Sequence, residues 1–137
     1  MRAIISLAAS LAFAVGALGC SNNSSTTTSP TTTSPTTVTI ASTVPLRGSA
    51  VRTFSMTTAG TVKVTLTALG NGVAAAGLGL GVSATGAPCS LAQSVATGPG
   101  SAPQIVASAD AGNYCVQVFD LGTMPSDTGF SITVEHP

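Results

Sequence analysis

The chain has 137 residues, four Lys plus Arg, four Asp plus Glu, and a formal net charge of zero. Charged residues make up 6% of it and hydrophobic residues 44%, with 15 Gly and no Trp. This length fits one domain. Four cations are too few to neutralise a phosphate track, which excludes a basic nucleic-acid binder, and the scarcity of charge excludes a coiled coil.

In chain order, residues 1–19 read as a secretory signal. Arg2 supplies the positive n-region, and Ala3 to Leu18 carries no charge. That stretch falls short of the roughly 20 residues a membrane-spanning helix needs. The predicted signal helix ends in Gly16-Ala17-Leu18-Gly19-Cys20. This run resembles the lipobox of bacterial lipoproteins, departing from it at Ala17, where that family most often has Leu. The resemblance implies cleavage before Cys20, a lipid anchor on its thiol, and a further acyl chain such as palmitate on the new amino group. Each buried CH₂ would contribute about 0.8 kcal/mol to membrane binding. Ser21 follows the Cys instead of Asp, which by the same resemblance permits passage to the outer membrane. The competing reading is ordinary cleavage that leaves Cys20 a free thiol. Cysteine arithmetic favours the lipid: three Cys is an odd number, and lipidating Cys20 leaves Cys89 and Cys115 as a pair.

Ser21 to Thr37 contains only Ser, Thr, Asn and Pro, and Thr26-Thr27-Thr28-Ser29-Pro30 recurs as Thr31-Thr32-Thr33-Ser34-Pro35. Nothing apolar is there to offset the entropy of ordering, so residues 20–37 are expected to form a disordered linker. Its prolines bias it toward extended conformations, and at about 3 Å per residue it reaches about 50 Å. Its hydroxyls suit O-linked sugars.

Residues 38–137 have the size of a single sandwich. Strand signals recur between turn signals. Val38-Thr39-Ile40 opens the series, and Arg52 to Met56 places Phe54 and Met56 on one face. After Ala59-Gly60, Thr61 to Thr67 alternates, with Val62, Val64 and Leu66 expected inward and Lys63, Thr65 and Thr67 outward. Gly70-Asn71-Gly72 is a turn signal, because both residue types accept positive φ. Gly77 to Val82 alternates again; a helix over Val73 to Leu80 is its rival, disfavoured by the dense Gly. Cys89 to Val95, Gln104 to Ser108, Asn113 to Phe119 and Phe130 to Val134 complete about eight strands. Such strands must stack to bury one face each. The expected fold is all-β: a two-sheet antiparallel β-sandwich, jelly-roll-like, following the signal helix and the linker. Cys89 and Cys115 are assigned to two separate strands. In an oxidising compartment a bridge between them contributes about 3 kcal/mol. A reactive thiol pair is the alternative, but C-x-x-C spacing is absent.

Three stretches carry a second likeness: Phe54 with Ala59 to Leu66, Asp110-Ala111-Gly112-Asn113-Tyr114-Cys115-Val116-Gln117-Val118, and Phe130 to Glu135. Together they resemble the small bacterial pre-peptidase C-terminal-like sandwich domains, over roughly Thr53 to Pro137. In that family the domain accompanies secreted peptidases, is non-catalytic, and is linked to secretion, surface or substrate binding. These 137 residues hold no peptidase domain and lack the acidic run the family often carries at the domain's start.

Catalytic residue types are scarce. A hydrolytic triad needs a base, and the only His is His136, next to the end of the chain and expected to be solvent-exposed. Gly81-Val82-Ser83-Ala84-Thr85 lacks the last Gly of a nucleophile elbow. Gly77-x-Gly79-x-Gly81 has no Lys and no helix to make a phosphate loop; it reads as a strand approached closely by other groups. No His/Cys cluster offers a zinc site. Asp120 and Asp127 bracket a loop whose carbonyls would join them around calcium, the alternative being solvated loop acids. Of the aromatic residues Phe54, Tyr114, Phe119 and Phe130, only Phe119 sits on an outward parity suited to a sugar platform. Arg47, Arg52 and Lys63 are too sparse for an anionic-polymer patch.

The expected function is that of a non-enzymatic, lipid-anchored cell-envelope protein, exported to the outer membrane or cell surface, with the sandwich as an interaction module. Its expected partners are the membrane, through the lipid, and an envelope protein or glycan; no cofactor and no nucleic acid are expected. The alternatives are an accessory or inhibitor domain for a secreted peptidase, and a carbohydrate- or calcium-binding module.

Overall fold

The structure, a computed structural model, describes residues 34–137. The predicted signal helix, Cys20 and most of the linker lie outside the described residues. Eight strands follow one another: β1 (Thr36–Val44), β2 (Ser49–Met56), β3 (Gly60–Leu69), β4 (Ala76–Val82), β5 (Ser90–Thr97), β6 (Ile105–Ala109), β7 (Gly112–Phe119) and β8 (Thr128–His136). Each contains a stretch expected from sequence. β1 starts at Thr36, so the end of the expected linker is paired: Thr36 opposes His136 and Thr37 opposes Glu135. Cys89 stands just before β5 and is not part of a strand. Val73 to Leu80 forms no helix; its second half is β4.

The strands form two four-stranded sheets, β1-β8-β3-β6 and β2-β7-β4-β5, with every pairing antiparallel. Partners are nested: β1 pairs with β8, β2 with β7, β3 with β6 and β4 with β5. The chain is one long hairpin, turned at Ser83–Cys89 and rolled so that its layers face each other. That is jelly-roll topology.

Period-two patterning decides what lies between the sheets. From the first come Val44, Val62, Val64, Leu66, Ile105, Phe130, Ile132 and Val134; from the second come Ala50, Phe54, Met56, Ala76, Leu78, Leu80, Val116 and Val118. Thr65, expected outward, is buried: it sits on a central strand between β8 and the loop that follows β5. That loop covers the upper edge of β3, where Gly100 N–H donates to Leu66 O at 2.8 Å and Gln104 N–H to Val64 O at 3.0 Å. The Gln104 amide adds to this cover, its Oε1 accepting from Leu66 N–H at 2.7 Å.

His136 corrects the expectation of an exposed side chain. It is 7% exposed, and its ring stacks on Phe54 at a centroid separation of 5.4 Å. Phe54 also stacks with Tyr114 at 5.8 Å. The Tyr114 hydroxyl donates to Asp110 O at 2.8 Å, an arrangement like the tyrosine corner of other sandwiches.

Candidate functional site

Strand direction sorts the connections into two ends. β1 rises from Thr36, and β8 descends beside it to His136, so both limits of the domain lie at one end. The β1–β2, β3–β4, β5–β6 and β7–β8 connections lie at the other. Among these, the loops at 45–48, 70–75 and 120–127 are joined by hydrogen bonds, and they form the candidate site.

The first loop is a tight turn, with Gly48 N–H donating to Pro45 O at 2.9 Å and Arg47 at φ 57°. The second is the expected Gly70-Asn71-Gly72 turn. Asn71 and Gly72 have φ 55° and 67°, and Val73 N–H donates to Gly70 O at 3.1 Å. Two successive positive φ angles are the reason Asn and Gly occupy it.

Asp120 and Asp127, the candidate calcium residues, meet around the first turn. Asp127 Oδ1 accepts from Leu46 N–H at 2.9 Å, and Asp120 Oδ2 accepts from Arg47 N–H at 2.9 Å. Asp120 Oδ1 also accepts from Gly122 N–H at 2.7 Å and from Thr123 and Met124 N–H at 3.1 Å each. Desolvation pushes the Asp120 pKa up, but the backbone N–H groups of Arg47, Met124, Gly122 and Thr123 outweigh it and hold the carboxyl below its ordinary value. Asn71 Nδ2 ties the second loop to the third, donating to Asp127 O at 2.9 Å. Nothing in the local sequence around Asn71 announces that bond, which spans 56 positions.

The second and third of these loops frame an open depression of about 470 Å³ lined by residues 71–75, Leu121, Thr123 and Pro125. Leu46 and Leu121 stand exposed at its end of the molecule. The surface offers apolar contacts, fixed backbone and hydroxyls. Among the described residues, no three His, Cys, Asp or Glu side chains gather to hold a metal ion. His136 is at the opposite end of the sandwich.

The other sequence-selected residues are distributed as follows. Cys89 and Cys115 form a disulfide with a Cα–Cα distance of 5.9 Å. Cys115 opposes Gly81 across the β4–β7 pairing. The Gly-rich strand is approached closely, as expected: a Cβ on Gly79 would meet the Leu91 side chain at 2.8 Å, and one on Gly81 would meet Ser90 O at 2.0 Å. Phe119 ends β7 half-buried, its ring against Gly77. Lys63 pairs with Glu135 at 2.6 Å on the outer face of the first sheet. The chain matches no protein-family model and no curated protein.

Proposed function

We propose that this is a lipid-anchored cell-envelope protein whose jelly roll is a non-enzymatic interaction module that engages its partner through the loop end at 45–48, 70–75 and 120–127. The observation that carries this reading is the polarity of the sandwich: the chain enters at the end of β1 that pairs with His136, and the hydrogen-bonded loops lie at the other end. A domain tethered at Cys20 through the Ser/Thr/Pro linker would present those loops away from the lipid. Preorganised loops lower the ordering cost of binding, and exposed Leu46 and Leu121 supply apolar anchors.

The test is in-cell photocrosslinking of the full chain, with a photoreactive residue at Leu121 and, separately, at Ser83 on the opposite end. A reproducible protein or glycan adduct from position 121 and none from 83 is expected. Equal adducts from both positions, or none from either, would contradict it. A peptidase captured at 121 would select the accessory-domain alternative.

A further inference from the structure

We propose that β5 is an association edge that pairs antiparallel with β5 of a second copy of this chain, across a two-fold axis at Val95. This goes beyond the loop-end reading and does not depend on it.

Each four-stranded sheet has two edges, and the sandwich treats its two sides differently. On the β1/β2 side, Arg52 lies on the same parity as Ala50, Phe54 and Met56, so it points between the sheets. Its guanidinium donates to Ser42 Oγ on β1 and to Val51 O at 2.8 Å. An inward charge on an edge strand is a device that blocks further strand addition. On the β5/β6 side there is no such device. From Val64 to Ala109 the sequence has no charged side chain, and that span contains all of β4, β5 and β6. The equivalent inward positions on β5 are Gln93 and Val95, opposite Leu80 and Leu78.

β5 is also the least covered strand. Its residues are exposed from Ser90 through Ala96, on both parities. Four of the seven exposed large hydrophobic residues among those described, Val82, Leu91, Val95 and Val106, belong to β4, β5 or β6. The edge of β3 is capped by Gly100 and Gln104, and β6 has only five residues. No loop or side chain among the described residues bonds to the free backbone edge of Ser90–Ala96. Alternate residues of an edge strand point N–H and C=O outward, and another strand satisfies them.

The neutrality of the edge selects a second copy as occupant. A charged partner finds nothing complementary here, whereas self-pairing opposes no like charges, and from Cys20 onward the chain carries three Lys or Arg and four Asp or Glu, so a net charge of −1 gives only weak overall repulsion between copies. An isologous contact is the default for identical chains. The irregularity at Leu80/Gly81 leaves Gln93–Thr97 as the regular stretch. A two-fold axis at its middle sets Val95 against Val95, Ser94 against Ala96 and Gln93 against Thr97, keeping each pair on one face. The second sheets of two copies then form one sheet of eight strands. The pair points the two loop ends in opposite directions, and with its strands lying along the membrane neither loop end faces the lipid.

The test uses the full chain in cells, carrying Val95→Cys or, as a control on the opposite side, Val51→Cys. These positions are matched at 36% and 37% exposure. Directly opposed Cα atoms lie within disulfide reach in either antiparallel pair type. Mild oxidation followed by a non-reducing immunoblot should show at least ten times more dimer for Val95→Cys. Adding Ser94→Lys should remove that dimer while leaving the thermal melt unchanged, which separates lost pairing from lost folding. A monomer from Val95→Cys, or equal dimer from both positions, would overturn the proposal. So would adducts of another mass, with no dimer, from a photoreactive residue at Gln93, because they would give the edge to a different chain.

Discussion

Phe119 rests against Gly77 on the outer face of the second sheet: the two oppose each other in the β4–β7 register, and a Cβ on Gly77 would stand 2.1 Å from the Phe119 ring. The glycine is a seat for the ring. Gly77→Ala should therefore destabilise the domain by about 1–3 kcal/mol through overpacking. Phe119→Ala in the same chain should recover part of that loss. Thermal melts of the two single variants and the double variant check this, with a non-additive cycle as the expected outcome.

The Cys89–Cys115 bridge staples the turn of the long hairpin to β7, closing a sequence separation of 26. Replacing both cysteines with Ala should cost about 3 kcal/mol, lowering Tm by roughly 10–20 °C for a domain of this size. Reductant should produce a comparable drop in the parent chain and none in the variant.

Phe54 contacts Tyr114 on one side and His136 on the other. Phe54→Ala should cost about 3–5 kcal/mol. His136→Ala should lose the pair contribution, about 1 kcal/mol. Denaturant unfolding distinguishes the two, and a His136→Ala variant as stable as the parent would remove the stacking from the account of β8.

Acid should loosen the loop end first. The folded-state pKa of Asp120 is lowered, so its contribution is present above the unfolded carboxyl value, about 3.9, and is lost as pH falls through the lower folded value. Asp120→Asn should flatten the stability profile in that acid range and lower stability at neutral pH. Amide exchange at Gly122, Thr123 and Met124 should speed up in the variant while β3 stays protected. Unchanged exchange at those amides would contradict the role given to the carboxylate.

The eight strands were legible because each carries alternation or a compact apolar run between turn residues. The limits of that signal appear at particular residues. Thr36 and Thr37 join β1 because β8 is there to pair with them, and a run of Thr and Pro contains no trace of it. His136 was readable in principle: Phe130, Ile132 and Val134 face inward, and one more step of period two reaches it. Proximity to the end of the sequence argued the other way, and pairing with Thr36 overrode it. The loop end was half legible. Asp120 followed by Leu121-Gly122 is a local turn signal, but its bond to Arg47 spans 73 positions, and no local pattern encodes that. In the sequence Arg52 is one of three scattered cations, with Arg47 and Lys63. Its role at an edge emerges only once β1 and β2 are seen to flank the same side of the sandwich.

The most direct measurement is the mass of the N-terminal peptide of the mature protein purified from bacterial membranes, with Cys20→Ala as control. The expected result is a peptide beginning at Cys20 that carries a diacylglyceryl group and an N-linked acyl chain, absent from the variant. A peptide that begins elsewhere, or an unmodified Cys20, would contradict lipid anchoring and with it the presentation of the loop end away from a membrane.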